Sequence, residues 1–352
     1  MQWLFYNART TRSCVIAKIL ITGADGFVGR HILQTLMQFE HKDLQIVAAT
    51  RRPENLPANY RGEVRVGDLR DPAYLDRVLI NIDIICHAAG WTNYSNNEPA
   101  SRQYYLEPTL ELINRAREWR ITRFVNLSSI AVSPYPQRMN DDTPGKPRRG
   151  CAMFNCMIAV EDYLKTQANA HMSVINLRSG IYSGQGLHFG LLPLLLQRPA
   201  LPLISGHYGY FPLVDGRDIG QAFARAALLP DVNGYVSLNI IGPESPQQKT
   251  VIQFIQQTLQ KNNSKTITLP AAIALPVHQL LKHISHRQKT PFTTCAITAS
   301  LTNPAMQNNQ SRQLLGYQPQ ISWQASVRDF VAEYARENKA LKLYIDEKEM
   351  II

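Results

Sequence analysis

Three glycines carry the clearest chemistry in this chain. Gly23, Gly26 and Gly29 recur at every third position, with Asp25, Phe27 and Val28 among the residues between them. The apolar run Lys18-Ile-Leu-Ile-Thr22 comes before, and Ile32, Leu33, Leu36 and Met37 follow at helical spacing. Strand, glycine turn and helix in that order suit the binding of a pyrophosphate. Gly23 permits the tight turn, Gly26 lets the backbone approach the phosphates, and Gly29 lets the helix lie close on the sheet. Free N–H groups in the first helical turn would then face the anion. The spacing predicts a dinucleotide site.

The end of the second strand chooses between the two nicotinamide dinucleotides. An acid there holds a ribose 2′-hydroxyl, whereas an arginine accepts a 2′-phosphate. The chain reads Ala49-Thr-Arg51-Arg52, with no acid until Glu54, so NADP is favoured over NAD.

Alternating periodicities extend this unit along the chain. Strands are expected at 18–22, 45–50, 64–66, 82–87, 123–127 and 173–178, and helices at 30–39, 74–79 and 110–119. That alternation predicts an α/β fold, a doubly wound parallel sheet with right-handed crossovers. Beyond the glycine-rich stretch 179–186, prolines become frequent and elements short, which predicts a smaller C-terminal substrate-type cap. The expected division is an arm at 1–17, a dinucleotide-binding domain at 18–180, and a cap over 181–352. From that cap 211–241, with a helix at 219–229 and a strand at 234–240, returns to the first domain.

Composition narrows the classes. Of 352 residues, 45% are hydrophobic and 18% charged, which fits a globular protein and leaves little room for disorder. A net charge of +10 suits anionic ligands without identifying one. No apolar run reaches the ~20 residues of a membrane span. The five cysteines are odd in number and none pair as Cys-x-x-Cys, so neither a disulfide framework nor a zinc knuckle is expected. A reducing, cytoplasmic setting follows. His283, His286 and Cys295 lie in or near a basic stretch that reads as a solvated helix end, and no metal is expected. Residues 1–17 hold Arg9 and Arg12 and no acid, which leaves open an arm, a targeting segment or an over-extended start.

Several further motifs fall in order behind the glycine turn. They are Gly67-Asp-Leu69, His87-Ala-Ala-Gly90, Arg123-Phe-Val-Asn-Leu-Ser-Ser129, Leu177-Arg-Ser-Gly-Ile-Tyr182, Val214-Asp215 and Leu315-Gly-Tyr-Gln-Pro319. Together they resemble the extended short-chain dehydrogenase/reductase (NAD-dependent epimerase/dehydratase) family, nearest its 3β-hydroxysteroid dehydrogenase and dihydroflavonol reductase branch. The resemblance covers residues 18 to 335 and implies a Rossmann-type fold. It implies that Asp68 and Leu69 meet the adenine and that Ala88, Ala89 and Gly90 line the middle of the cofactor. It adds Ser179 and Ile181 to the cofactor set, and it matches Ser129 to the family's catalytic serine, with Ser128 as the neighbouring candidate.

The resemblance breaks where proton transfer should occur. Family members carry Tyr-x-x-x-Lys, with a glutamate eight residues after the tyrosine. Counting back from Glu161 puts the tyrosine position at Met153 and the lysine position at Met157. A phenol near pKa 10 is a poor base without a nearby cation, and a thioether moves no proton at neutral pH. The family's Asn-Val-x-Gly-Thr is likewise replaced by Tyr105-Leu-Glu-Pro-Thr109.

Three readings follow. In the first, the chain binds NAD(P) without standard oxidoreduction, as a sensor, scaffold or assembly subunit. In the second, it is an NADP-dependent oxidoreductase or epimerase acting on a small alcohol or ketone, a steroid-like molecule or a sugar nucleotide. Tyr105, Tyr182 or Asp215 would then carry the proton. In the third, the loop Lys146-Pro-Arg-Arg149 binds nucleic acid, and three cations with no interleaved aromatic residue argue against that. The partners expected are a dinucleotide, a small substrate or protein, and a second copy packed through helices at 110–119 and 151–164.

Overall fold

The computed structural model describes residues 17–39, 44–91, 97–133, 144–197, 202–205, 209–259, 267–270 and 306–349. Its first half runs β1 (Ala17–Thr22), α1 (Phe27–Gln38), β2 (Leu44–Thr50), β3 (Glu63–Val66) and α2 (Pro72–Val78). The second half runs β4 (Ile84–His87), α3 (Glu98–Ser101), α4 (Glu107–Glu118), β5 (Arg123–Ser129), α5 (Ala152–Gln167) and β6 (Ser173–Ser179). Then come β7 (Ile181–Ser183), α6 (Leu191–Gln197), β8 (Pro202–Ser205), β9 (Leu213–Asp215), α7 (Gly216–Leu228) and β10 (Tyr235–Ile240). The chain continues through α8 (Gln248–Thr258) and β11 (Ile267–Pro270), and among the described residues it ends with helices Asn309–Leu315 (α9) and Trp323–Glu349 (α10).

Seven strands form one sheet in the order β10-β6-β5-β4-β1-β2-β3. Every pairing within it is parallel. Ile19, Leu20 and Ile21 in β1 have no exposed surface, as a strand covered on both faces requires. On one face, Ile32 and Leu36 of α1 meet Phe223 and Ala226 of α7. On the other, Leu75 of α2, Ile113 of α4 and Val160 of α5 share a second core. Each of these fully buried leucine, isoleucine, valine and phenylalanine side chains contributes about 1.5–3 kcal/mol of transfer free energy. The strand order reverses beside β1, which has β2 on one side and β4 on the other. The connections there leave in opposite directions and open a crevice at the carboxyl ends of the strands.

From the 211–241 stretch, α7 packs on α1 and β10 pairs with β6. Two short parallel pairs, β7 with β9 and β8 with β11, stand outside the main sheet. The helix expected at 110–119 starts earlier and has an irregular lead. Residues Arg102–Leu106 form a π-helical turn between α3 and α4. Pro108 explains it: the ring has no N–H to offer and crowds the carbonyl four residues back, so the chain widens ahead of it. Between α4 and α5, Tyr163 donates to Asn114.

The cysteines require a correction. Cys151 is disulfide-bonded, its partner outside the described residues, while Cys86 and Cys156 are free and buried. An odd count does not preclude one bridge beside unpaired thiols. His283, His286 and Cys295 lie outside the described residues, as does the 1–16 part of the expected arm. Among the described residues no cluster of His, Cys, Asp or Glu could hold a metal, and no helix is long and apolar enough to cross a membrane.

Candidate functional site

A cleft of about 810 Å³ opens at the carboxyl ends of β1, β2, β4 and β5, where the strand order reverses. The glycine turn forms its floor. Gly23 has φ +66°, and a Cβ on it would lie 2.7 Å from the Ala89 Cα. A Cβ on Gly29 would lie 2.1 Å from the Gly23 carbonyl oxygen, so this glycine lets α1 close on the turn itself. Gly26 caps α1 with extended backbone and no side-chain acceptor. The first-turn N–H groups have no intrahelical partner, and Gly26, Phe27 and Val28 of that turn line the cleft. A phosphate fits such a helix start, through hydrogen bonds and the helix dipole.

One side of the cleft, along the ends of β1–β3, is strongly charged. Arg52 donates to Asp25 at 3.0 Å, and Arg51 lies 3.7 Å from Asp68. The Arg51 and Arg52 side chains remain 62% and 58% exposed, so a ligand anion can reach both. Arg70 grips Asp68 in a bidentate pair, at 3.1 and 2.7 Å, and stacks over the Tyr104 ring 4.9 Å away. Its hydrogen bonds hold the Asp68 carboxyl down at about 2. Tyr104 stacks in turn on Trp91, with ring centroids 5.6 Å apart. Leu69, Ala88, Ala89 and Gly90 also line this cleft.

The other side, along β4, β5 and α5, carries hydroxyl, thioether and aromatic groups. Met153 and Met157 both line it, beside Ser128, Tyr105 and Tyr182. Tyr105 reaches the cleft from the π-helical turn. His87 sits below, its Nδ1 2.8 Å from the Thr22 hydroxyl and its Nε2 3.3 Å from the Thr109 hydroxyl. Complete burial pushes its pKa down to about 4, so the ring is neutral near pH 7. Ser128 donates to Glu161, whose carboxylate is paired with Arg178 at 2.6 Å; both charged side chains are buried.

Other candidates lie elsewhere. The Ser129 hydroxyl accepts the Ala131 N–H and caps a short 3-10 turn, and it does not line the cleft. Ser179 donates to the Gly180 carbonyl, and Ile181 packs against the core. Burial works against the Asp215 carboxylate, yet hydrogen bonds from Arg217 and Ser326 hold it below its ordinary value. It caps α7 and is committed to structure. Arg148 of the basic loop turns inward, donating to the Ala131 carbonyl. Arg70, Tyr104 and Trp91 were missed by sequence reasoning. Arg70 directly follows Gly67-Asp-Leu69, and that adjacency was the available signal. The chain has one Tyr-x-x-x-Lys spacing, Tyr344 to Lys348, at the far end of α10 and outside the segment where the family carries it.

Comparison with known proteins bears on the family and the fold. The profile of the NAD dependent epimerase/dehydratase family matches residues 19–198. A 3-beta-hydroxysteroid dehydrogenase of Mycolicibacterium neoaurum is 25% identical over 146 residues, covering 36% of this chain and 39% of that protein. The chain thus spans about two fifths of the length of that curated relative. The UDP-glucose 4-epimerase of Thermus thermophilus, solved with NAD, superposes with a TM-score of 0.66 at 17% identity. That likeness covers 90% of this chain and 99% of the epimerase. The UDP-glucuronic acid 4-epimerase of Bacillus cereus, solved with UDP-glucuronic acid and NAD, gives 0.68 at 16% identity, covering 91% and 99%. At such identities the structures speak for the fold alone. The family match covers more than half of the chain, and the protein belongs to the NAD dependent epimerase/dehydratase family.

Proposed function

We propose that this chain binds a nicotinamide dinucleotide, NADP in preference to NAD, and does not perform tyrosine–lysine proton transfer on it. The observation that carries this reading is the pair Met153 and Met157 on the cleft wall beside Ser128. The cleft suits the ligand: an uncapped helix start for the pyrophosphate, and a glycine turn that a Cβ would obstruct. Arg51 and Arg52 would receive a 2′-phosphate, trading their hold on Asp68 and Asp25 for it. Asp68 and Leu69 would meet the adenine, and Ala88–Gly90 the middle of the ligand.

A bound nicotinamide supplies a hydride donor or acceptor. This chain supplies little to move the accompanying proton. Thioethers do not titrate, and neutral His87 has both ring nitrogens engaged with threonine hydroxyls. A site that holds a dinucleotide without turnover suits a sensor, scaffold or assembly subunit. A partner protein or second copy would read the bound state through α4 and α5, the helices behind the methionines.

A second reading rests on Tyr105 and Tyr182, two phenols lining the same cleft. Calorimetric titration with NADPH and NADH, followed by turnover assays on alcohol, ketone and sugar-nucleotide panels, separates the two. Saturable binding without hydride transfer supports the first. Hydride transfer abolished by Tyr105→Phe or Tyr182→Phe establishes the second. Binding of neither nucleotide defeats both.

A further inference from the structure

The charge around the cleft is unevenly divided, and the division has a consequence for the ligand. Asp25, Arg51, Arg52, Glu54, Asp68 and Arg70 all line the half built on β1–β3. Arg30 also lines the cleft, near Gly186, as does His188, which faces Glu337 of α10 at 3.7 Å. The half built on β4, β5 and α5 is lined by Thr109, Leu127, Ser128, Met153 and Met157, with Tyr105, while Tyr182 packs against Phe27 of α1 and Phe189. No carboxylate, ammonium or guanidinium group lines that half among the described residues. Beneath it Glu161 is already engaged by Arg178 and the Ser128 hydroxyl.

We infer that this neutral half takes the uncharged ring of a reduced dinucleotide in preference to the cationic ring of the oxidised one, so that occupancy of the site reports redox state. The inference rests on the proposed dinucleotide site. With the pyrophosphate on the first turn of α1 and the adenosine half beside Arg51 and Asp68, the second mononucleotide falls against β4–β6. A pyridinium carries a full positive charge. Moving it from water to a wall of thioether and hydrocarbon is costly unless an anion pairs with it. Among the described residues of this lining, none supplies the anion. The dihydro ring is neutral and escapes that cost, while methionine sulfur packs favourably against flat rings.

The test measures dissociation constants by calorimetry for NADPH and NADP⁺, with NADH and NAD⁺ in parallel. The reduced form is expected to bind about tenfold tighter or more, a difference of about 1.4 kcal/mol. Met157→Glu places a carboxylate in the neutral half and is expected to bring the ratio towards one by tightening the oxidised form. Met157→Leu keeps the wall apolar and is expected to keep the ratio. Equal affinities in the unaltered protein, or a ratio that Met157→Glu leaves unchanged, overturn the inference while the nucleotide site stands. Absence of binding by all four nucleotides overturns the site itself, and the inference with it. Should the glutamate variant fail to fold, the ratio in the unaltered protein decides.

Discussion

The two halves of the cleft differ in kind although the same sheet builds both. Along β1–β3 the lining is a lattice of arginines and carboxylates, each partly open to solvent. Along β4, β5 and α5 it is hydroxyl, thioether and aromatic, with its one nearby ion pair sealed beneath. The charged half can exchange protein partners for a ligand's phosphate at small cost, because exposed ion pairs are weak. The neutral half offers shape and low polarity, with Met153 and Met157 in its lining beside Ser128. The difference teaches where recognition and chemistry separate. On the reading proposed above, recognition stands on the charged side, and packing takes the place of the proton transfer expected on the other.

The comparison can be broken most severely from beneath the neutral half. Glu161→Gln would break the buried ion pair with Arg178, at a cost on the order of 3–5 kcal/mol. Urea unfolding measures it, and a loss below about 1 kcal/mol would mean the pair is wetter than its burial shows.

His87 gives the next largest effect. Burial holds its pKa at about 4 against an ordinary value of 6.5. The unfolded chain takes up that proton near 6.5 and the folded chain not until about 4, so stability falls as pH drops through this window and levels off below it. The contribution is on the order of 3 kcal/mol. His31, likewise lowered to about 4 by burial, adds in the same direction. Asp218, raised by burial to about 6, opposes both between 3.8 and 6. Urea unfolding at stepped pH is expected to show a flatter profile for His87→Gln than for the unaltered protein. Coincident slopes would show that His87 is not held neutral.

The charged half should respond in affinity and spare stability. Arg51→Ala combined with Arg52→Ala is expected to weaken NADPH about tenfold and leave NADH unchanged, since only the former carries the 2′-phosphate. Equal weakening of both nucleotides would remove the arginines from cofactor choice. Tyr104→Ala, which deletes the ring under Arg70, is expected to cost a few-fold for both nucleotides, in line with an exposed cation–π contact of about 0.5–1 kcal/mol.

How much of this was legible beforehand depended on whether the signal was local. The glycine turn was readable because strand, turn and helix are contiguous, and the parallel sheet followed from strand–helix alternation. Met153 and Met157 were found by counting from Glu161 within one helix, where spacing fixes the face. Other features depended on contacts between segments. Ser128 and Ser129 are adjacent on β5, and neighbouring strand positions point to opposite faces, so a one-residue difference in frame decides which hydroxyl meets the cleft. The link from Arg70 to Tyr104 joins residues 34 positions apart (104 − 70 = 34) through a π-helical turn that helical periodicity does not register. The split between charged and neutral halves follows from strand order, because β2 and β3 lie on one side of β1 and β4 and β5 on the other.

One titration bears most directly on the glycine turn at Gly23, Gly26 and Gly29. NADPH is added by calorimetry to the unaltered protein and to Gly29→Ala, whose new Cβ would lie 2.1 Å from the Gly23 carbonyl oxygen. The expected result is a saturable one-site heat for the unaltered protein and none for a folded Gly29→Ala. A flat titration with the unaltered protein, or equal binding by the two, would contradict a dinucleotide held on this turn.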